Sequence, residues 1–256
     1  MRKYVSMIAV MFFITGFCMA AHAAVDKTFE VSVLATVGDV QVDVKGDGNW
    51  TKAVPGMKLA TGAKIKTGAA SKVNIVYDAE GLNIVEIKEN TMAMVKASSL
   101  DLVQGSVLAK FDNLEKGSSF TVNTPNAACA IRGSGMGVDY IRNMTVLWAF
   151  NGTAFVVGRD SSGQTVFKEV AIPEGWKTSV GVDGMPVAPE NLSANEWLVW
   201  NEWQMWIRDS MGPALRINLT GLVDQANNVQ TDLDPGDIDE TKKDNNQGGT
   251  VISPAS

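Results

Sequence analysis

Histidine is almost missing from this 256-residue chain, which has one, and cysteine is scarce, with two. The single histidine, His22, and Cys18 both fall in a leader that the sequence predicts to be removed. Arg2 and Lys3 precede an apolar run from Tyr4 to Ala20, and Ala21-His22-Ala23 follows it, which is the charged, apolar and small-residue order of a secretory signal with cleavage after Ala23. A membrane anchor is the competing reading of that run, because its length approaches what is needed to span hydrocarbon. Phe17, where a small residue would be required, speaks against lipid attachment at Cys18.

A mature chain without imidazole excludes chemistry that uses histidine as a base or as a zinc ligand. With Cys129 as the one remaining thiol, no internal disulfide can form, so the fold has to rest on its apolar core. Cys129 lies in Ala127-Ala128-Cys129-Ala130-Ile131, among neighbours that offer no base or cation to stabilise a thiolate, and reads as a buried strand cysteine. Positive charge is also in deficit. Lys and Arg number 22 against 28 Asp and Glu, and loss of Arg2 and Lys3 leaves 20 against 28, a net charge of about −8. Such a chain repels phosphate backbones, and nucleic acid is not expected as a partner.

What the chain has in quantity is period-two alternation. Val40, Val42 and Val44 alternate with Gln41, Asp43 and Lys45, and Phe120 and Val122 with Thr121 and Asn123, as in strands with one buried face. Further runs at 73–77, 82–87, 91–95, 107–111, 138–141, 145–150, 154–157 and 165–172 are separated by Gly, Asp, Asn or Pro. Many short strands without helices between them predict an all-β domain over 24–192, a solenoid-like or sandwich-like stack. A weak echo places glycine at the entry of three strands, in Val37-Gly38-Asp39-Val40, Gln104-Gly105-Ser106-Val107 and Asn151-Gly152-Thr153-Ala154. The physical reading is a bulge or tight turn at each.

The period changes near residue 193. Ser193 and Glu196 form a capping box, and the following residues run at helical spacing until Gly212-Pro213, predicting one amphipathic helix over 193–211. Val199, Trp200, Trp203, Trp206 and Ile207 share its apolar face, which is expected to pack on the β domain, with a protein partner as the alternative reading. On the second reading, Trp197, Trp200, Trp203 and Trp206 are the candidate partner-facing residues. Segment 212–223 could add a short strand or turn. Residues 224–256 hold too little apolar surface to offset ordering entropy and are expected to form a disordered acidic tail. Its Asp232-x-Asp234-x-Gly236-Asp237-x-Asp239 run is rich in oxygen ligands but lacks the EF-hand order, and reads as a solvated acidic stretch. No metal or cofactor is expected.

Between Phe120 and Tyr140 the chain reads Phe-Thr-Val-Asn-Thr-Pro and then Ala-Ile-Arg-Gly-Ser-Gly-Met-Gly-Val-Asp-Tyr. With Gly38-Asp39-Val40, Trp50, Gly56, Leu59, Gly62, Ile65-Lys66-Thr67-Gly68 and Ser71 upstream, and a Gly-x-apolar strand at Gly152, this pattern resembles the FecR-like domain family over roughly residues 36–185. The resemblance implies an all-β, extracytoplasmic, non-catalytic module. It marks Thr124, Pro125, Arg132, Gly133 and Ser134 as the family motif, read here as structural: the proline stops a strand, the glycine permits a turn, and the arginine pairs with a carboxylate or nearby carbonyls. Gly135 and Gly137 stand where the family pattern has bulkier residues. Better-known relatives are transmembrane regulators that relay a signal from an outer-membrane receptor to a cytoplasmic sigma factor. Only Met1 to Lys3 precede the apolar run here, so anti-sigma activity is not expected to carry over.

Lys66-Thr67-Gly68 matches one element of penicillin-recognising enzymes, but no Ser-x-x-Lys accompanies it. A phosphate loop would need a helix after Gly133 to Gly137, where the pattern is a strand. A carboxylate-only glycosidase would need a marked acidic pair, and none is visible. The leading expectation is an exported, periplasmic or secreted protein that binds a protein partner in the cell envelope in a signalling or sensing role, without stable membrane insertion after signal cleavage. The alternative is a structural envelope protein that assembles through strand edges or contacts cell-wall polymer.

Overall fold

The computed structural model describes residues 31–210. The expected leader, the segment 212–223 and the acidic stretch 224–256 lie outside the described residues. Eight strands come first: β1 (Val31–Val37), β2 (Val40–Asp43), β3 (Thr51–Lys52), β4 (Lys58–Leu59), β5 (Lys64–Thr67), β6 (Lys72–Val76), β7 (Asn83–Ile87) and β8 (Met92–Val95). The 13-residue β9 (Ser99–Phe111) follows. Eight more succeed it: β10 (Phe120–Thr124), β11 (Ala127–Ile131), β12 (Ser134–Ile141), β13 (Met144–Asn151), β14 (Ala154–Gly158), β15 (Val170–Ile172), β16 (Trp176–Val180) and β17 (Glu190–Asn191). The helix α1 (Ala194–Ser210) ends the described chain. The protein is thus all-β with one C-terminal helix.

Two layers share β9. Sheet A runs β4-β1-β6-β7-β9-β12-β13-β16-β17. Sheet B runs β3-β2-β5-β8-β9-β10-β11-β14-β15. β9 gives Ser99 to Gln104 to sheet B and Gly105 to Phe111 to sheet A. Its pairing with β10 is parallel, and the other pairings are antiparallel. The path winds between layers as in a solenoid, while the core is that of a sandwich.

The three glycines of the sequence echo sit where the chain changes layer. Gly38 leads from β1 to β2 and Gly152 from β13 to β14, with φ of +74° and +67°, while Gly105 bends β9 itself at φ +101°. A Cβ on Gly105 would lie 2.2 Å from the Thr91 hydroxyl, which accepts the Ser106 N–H at 3.0 Å, so the bend closes around an absent side chain.

Alternation along each strand sends one set of side chains between the layers. Val33, Ile75, Val85, Ala109, Met136 and Leu147 of sheet A face Val42, Ile65, Leu100, Val122, Cys129 and Val156 of sheet B in one continuous core. Tyr77, Phe111 and Phe120 fill one end, with centroid separations of 4.0 to 5.6 Å. Some expected boundaries shift. Of the 165–172 run, Val170–Ile172 alone is a strand, and Thr165 makes an isolated bridge to Arg159. Beside the fold's apolar interior, no described helix is long and apolar enough to cross a membrane.

Candidate functional site

The motif residues hold the sandwich together. Thr124 ends β10, and Pro125 and Asn126 turn the chain into β11. The Thr124 hydroxyl accepts the Ala127 N–H at 3.0 Å and bonds the Thr145 hydroxyl of β13 at 2.7 Å. Asn126 Nδ2 donates to the carbonyls of Asn143, Val180 and Gly181 at 3.2, 2.8 and 2.8 Å. This buried polar knot ties the β10–β11 hairpin of sheet B to β13 and β16 of sheet A. Gly133 supplies the φ of +102° that turns β11 into β12, Ser134 is buried at the start of β12, and Arg132 pairs with Glu169 at 3.1 Å while stacking over Phe155 at 4.0 Å.

Sheet A's outer face is covered by α1. Val76, Ile84, Leu108 and Phe150 meet Trp200, Trp203 and Ile207 in a second apolar cluster. Gly135 and Gly137 belong to this face. A Cβ on Gly135 would come within 2.3 Å of the Trp200 ring, and one on Gly137 within 2.7 Å of Trp148. The glycines where the family pattern is bulkier therefore hollow the strand so that an indole lies against its backbone, and β12 stays paired on both sides with one register shift after Gly135. Trp200 stacks on Phe150 at 4.7 Å, and Trp203 Nε1 donates to the buried Asn74 Oδ1 at 3.0 Å.

This corrects the partner-facing assignment for two indoles: Trp200 and Trp203 are 6% and 2% exposed, because the sheet behind them offers more apolar contact than solvent does. Trp197 and Trp206 are half-buried at the rim, with Lys72 Nζ 4.0 Å above the Trp206 ring. Lys72 also pairs with Glu86 at 3.1 Å, and burial pushes the Glu86 carboxyl up despite that cation. The side of α1 turned away from the sheet carries Leu198 and Met205, 54% and 50% exposed.

Glu196 locks the start of α1. Its Oε2 accepts the Ser193 N–H and hydroxyl at 2.7 Å each, completing the expected capping box. Its Oε1 accepts Trp148 Nε1 of β13 at 2.8 Å and Lys177 Nζ of β16 at 2.7 Å. Partial burial works against the charged form, but the donors from Lys177, Ser193 and Trp148 outweigh it and hold the carboxyl at about 2, while Glu196 raises Lys177 in turn.

Among the described residues, sheet B's outer face has no such cover. Along β11 the outward residues are Ala128 and Ala130, flanked by Thr121 and Asn123 of β10 and by Phe155 and Val157 of β14. Methyl-sized side chains between longer neighbours leave an open trough of about 450 Å³. Arg132 stands at the end of β11 and Arg159 beyond Gly158, which pairs with Ala127 at the other end. Asn123 donates to Asp101 at 3.0 Å, and Lys96 pairs with Asp101 at 3.5 Å. Beneath the trough, burial pushes the Cys129 thiol up to about 12, against a small opposing pull from Arg159. The thiol is inert there.

The trough presents hydroxyls, an amide, an aromatic edge, two guanidiniums and the Glu169 carboxylate, which pairs with Arg132. Among the described residues no three Cys, Asp or Glu side chains gather as metal ligands. Sequence reasoning missed Asn126, Arg159, Phe155 and the Trp148–Lys177–Glu196 junction. Asn126 alone had a local signal, since an asparagine after Thr-Pro is a turn residue.

No family model matches the sequence, and no curated protein matches it. Among solved structures, two crystal structures of a "putative anti-sigma factor" from Parabacteroides distasonis ATCC 8503, at 1.65 and 2.50 Å resolution, are similar, each with 14% identity and a TM-score of 0.42. Each match covers 54% of this chain and 63% of the neighbour, less than two thirds of its length.

Proposed function

We infer that this protein is an exported, non-catalytic FecR-like module that recognises a protein partner in the bacterial envelope, in a signalling or sensing role, through the outer face of sheet B. One observation carries the reading: α1 fills the outer face of sheet A, whereas the alanine-floored trough of sheet B lies open between two arginines. A groove lined by hydroxyls, an amide, an aromatic ring, guanidiniums and a carboxylate suits polypeptide recognition.

Assembly through strand edges is the weaker reading. The four edge strands, β3, β4, β15 and β17, are two or three residues long, and such short edges give little template for pairing. Size-exclusion chromatography over a concentration series is expected to give one constant elution volume, and concentration-dependent assembly would reverse this preference.

The direct test is affinity capture from envelope extract with the parent chain, with Ala130→Trp, which fills the trough, and with Met205→Glu on the outer side of α1. A protein held by the parent and Met205→Glu but lost with Ala130→Trp supports the reading, provided all three melt alike. Equal capture by all three, or by none, refutes it. Cell fractionation is expected to find the chain in the periplasm or medium at the mass left after removal of residues 1–23.

A further inference from the structure

We propose that the trough of sheet B takes an extended segment of a partner protein that lays an aromatic side chain on the outer face of Arg132 and brings a carboxylate to Arg159. This rests on the recognition reading above and names the chemistry the partner must carry.

The aromatic preference comes from how Arg132 is held. Its guanidinium carbon lies 4.0 Å from the centroid of Phe155 on the trough wall, and its Nη2 donates to the two Glu169 oxygens at 3.1 and 3.2 Å. N–H bonds leave a guanidinium in its own plane, so Glu169 stands at the rim of the group while Phe155 backs one face. The opposite face is open, and the Arg132 side chain is 55% exposed. A guanidinium fixed at its rim and backed by a ring is weakly hydrated on its free face and loses little freedom on stacking, so it is a flat platform for a second ring. Beside it Ala130, which pairs with Phe155 across β11 and β14, leaves the room that an aromatic side chain needs.

The carboxylate follows from the charge left unmatched. Arg132, Glu169 and Arg159 line the trough, and a neighbouring hollow that shares Asn123 and Arg159 adds Asp101. Glu169 is matched by Arg132, while Asp101 pairs with Lys96 at 3.5 Å and accepts Asn123 Nδ2 at 3.0 Å. Arg159 has no carboxylate at ion-pair distance among the described residues. One positive charge is thus uncompensated, and a single partner carboxylate completes it. A strongly acidic segment would instead be repelled by Glu169 and Asp101.

The spacing is set by β14. Phe155, Val157 and Arg159 succeed one another on the outer face, so the residue beneath the platform and the unmatched cation are four positions apart, about 13 Å at strand rise. In an extended partner, side chains four positions apart leave on one side and span the same length.

The probe is the peptide acetyl-Trp-Ser-Ser-Ser-Asp-amide, with its reversed sequence, titrated into the isotope-labelled full chain and followed by NMR beside versions carrying Leu for Trp or Asn for Asp. Shifts are expected at Ala128, Ala130 and Phe155, and the Arg132 Nε–H should move upfield as the indole ring current covers it. Leu for Trp should weaken binding about two- to fivefold, as for an exposed cation–π contact. Arg132→Lys keeps the charge but not the plane, and should remove that difference. Asn for Asp should weaken binding by up to about fivefold at low salt, and Arg159→Gln should remove that second difference. The proposal is overturned if no peptide shifts the trough, if either exchange in the peptide leaves binding unchanged, or if Arg132→Lys weakens the Trp and Leu peptides equally. Equal trough shifts with tri-N-acetylchitotriose overturn it in favour of a glycan, and trough shifts that grow as the chain alone is concentrated overturn it in favour of a second copy. If these tests fail while Ala130→Trp still abolishes capture, the recognition reading stands and the partner chemistry is wrong. Capture unaffected by Ala130→Trp sinks the reading itself.

Discussion

The two outer faces of the sandwich solve the same problem in opposite ways. Sheet A removes the side chain at Gly135 so that Trp200 of the helix can approach its backbone, leaves Gly137 bare beneath Trp148 of β13, and then fastens that helix through Glu196 and Asn74. Sheet B also carries small residues, Ala128 and Ala130, but no element of the described chain descends onto them. A hollow that is filled contributes to stability, and a hollow left open is free to bind. The same device, a shortened side chain on an outward strand position, therefore has a folding role on one face and, on the other, underlies the recognition role proposed above.

The largest break in this contrast is expected from Trp200→Ala. It removes a buried indole stacked on Phe150 and leaves the Gly135 hollow empty, costing about 3–5 kcal/mol in urea unfolding. Gly135→Val comes next. Its side chain would drive into the Trp200 ring, and overpacking of that kind costs about 1–3 kcal/mol, read as a lower melting temperature with red-shifted tryptophan emission as α1 lifts. Gly135→Val combined with Trp200→Ala should melt above Trp200→Ala alone. If it does not, the hollow is not shaped for that ring.

Much of this was legible in the sequence. Period-two alternation gave the strands, the capping box gave the start of α1, and the three glycine echoes marked the layer crossings, though their common role needs the two sheets to be seen. Thr124 and Pro125 lie at a hairpin end, and Arg132, Gly133 and Ser134 at the turn from β11 to β12. The pairing of faces was not legible. Nothing local says that β9 bends from one sheet into the other, and without that bend Gly135 cannot be placed under Trp200, 65 residues further along. The trough was invisible for the same reason. Ala128, Ala130, Phe155 and Arg159 are unremarkable until β11 and β14 pair, and although the helix was expected to pack on the β domain, which indoles it would bury could not be read without the hollowed sheet.

A smaller effect should isolate the fastening of α1. Glu196 has its folded pKa depressed to about 2 from 4.5, so the stability it contributes is complete above pH 4.5 and is lost as pH falls toward 2. Glu196→Gln keeps an acceptor for Trp148 but loses the charge-assisted bond to Lys177, an expected cost of about 1–2 kcal/mol at pH 7. The parent-minus-variant difference should stay flat from pH 7 to 5 and close between 4.5 and 2. Taking the difference cancels Glu86 and Asp139, whose carboxyls are raised by burial and which favour the fold more as pH falls. A difference that persists at pH 2 would mean that Glu196 acts through packing and not through charge.

The smallest expected effect on stability sharpens the comparison most. Ala130→Leu adds a branched side chain at an outward, half-buried position of sheet B, where the trough has room, so unfolding should change by no more than about 0.5 kcal/mol. The same kind of addition at Gly135, on the other sheet, meets an indole. If Ala130→Leu destabilised the fold as Gly135→Val does, the sheet B hollow would also be serving internal packing, and the division between a face that folds and a face that binds would be lost. If instead it leaves the melt unchanged and abolishes partner capture, the asymmetry is functional, because an added side chain on each face then damages a different property of the molecule.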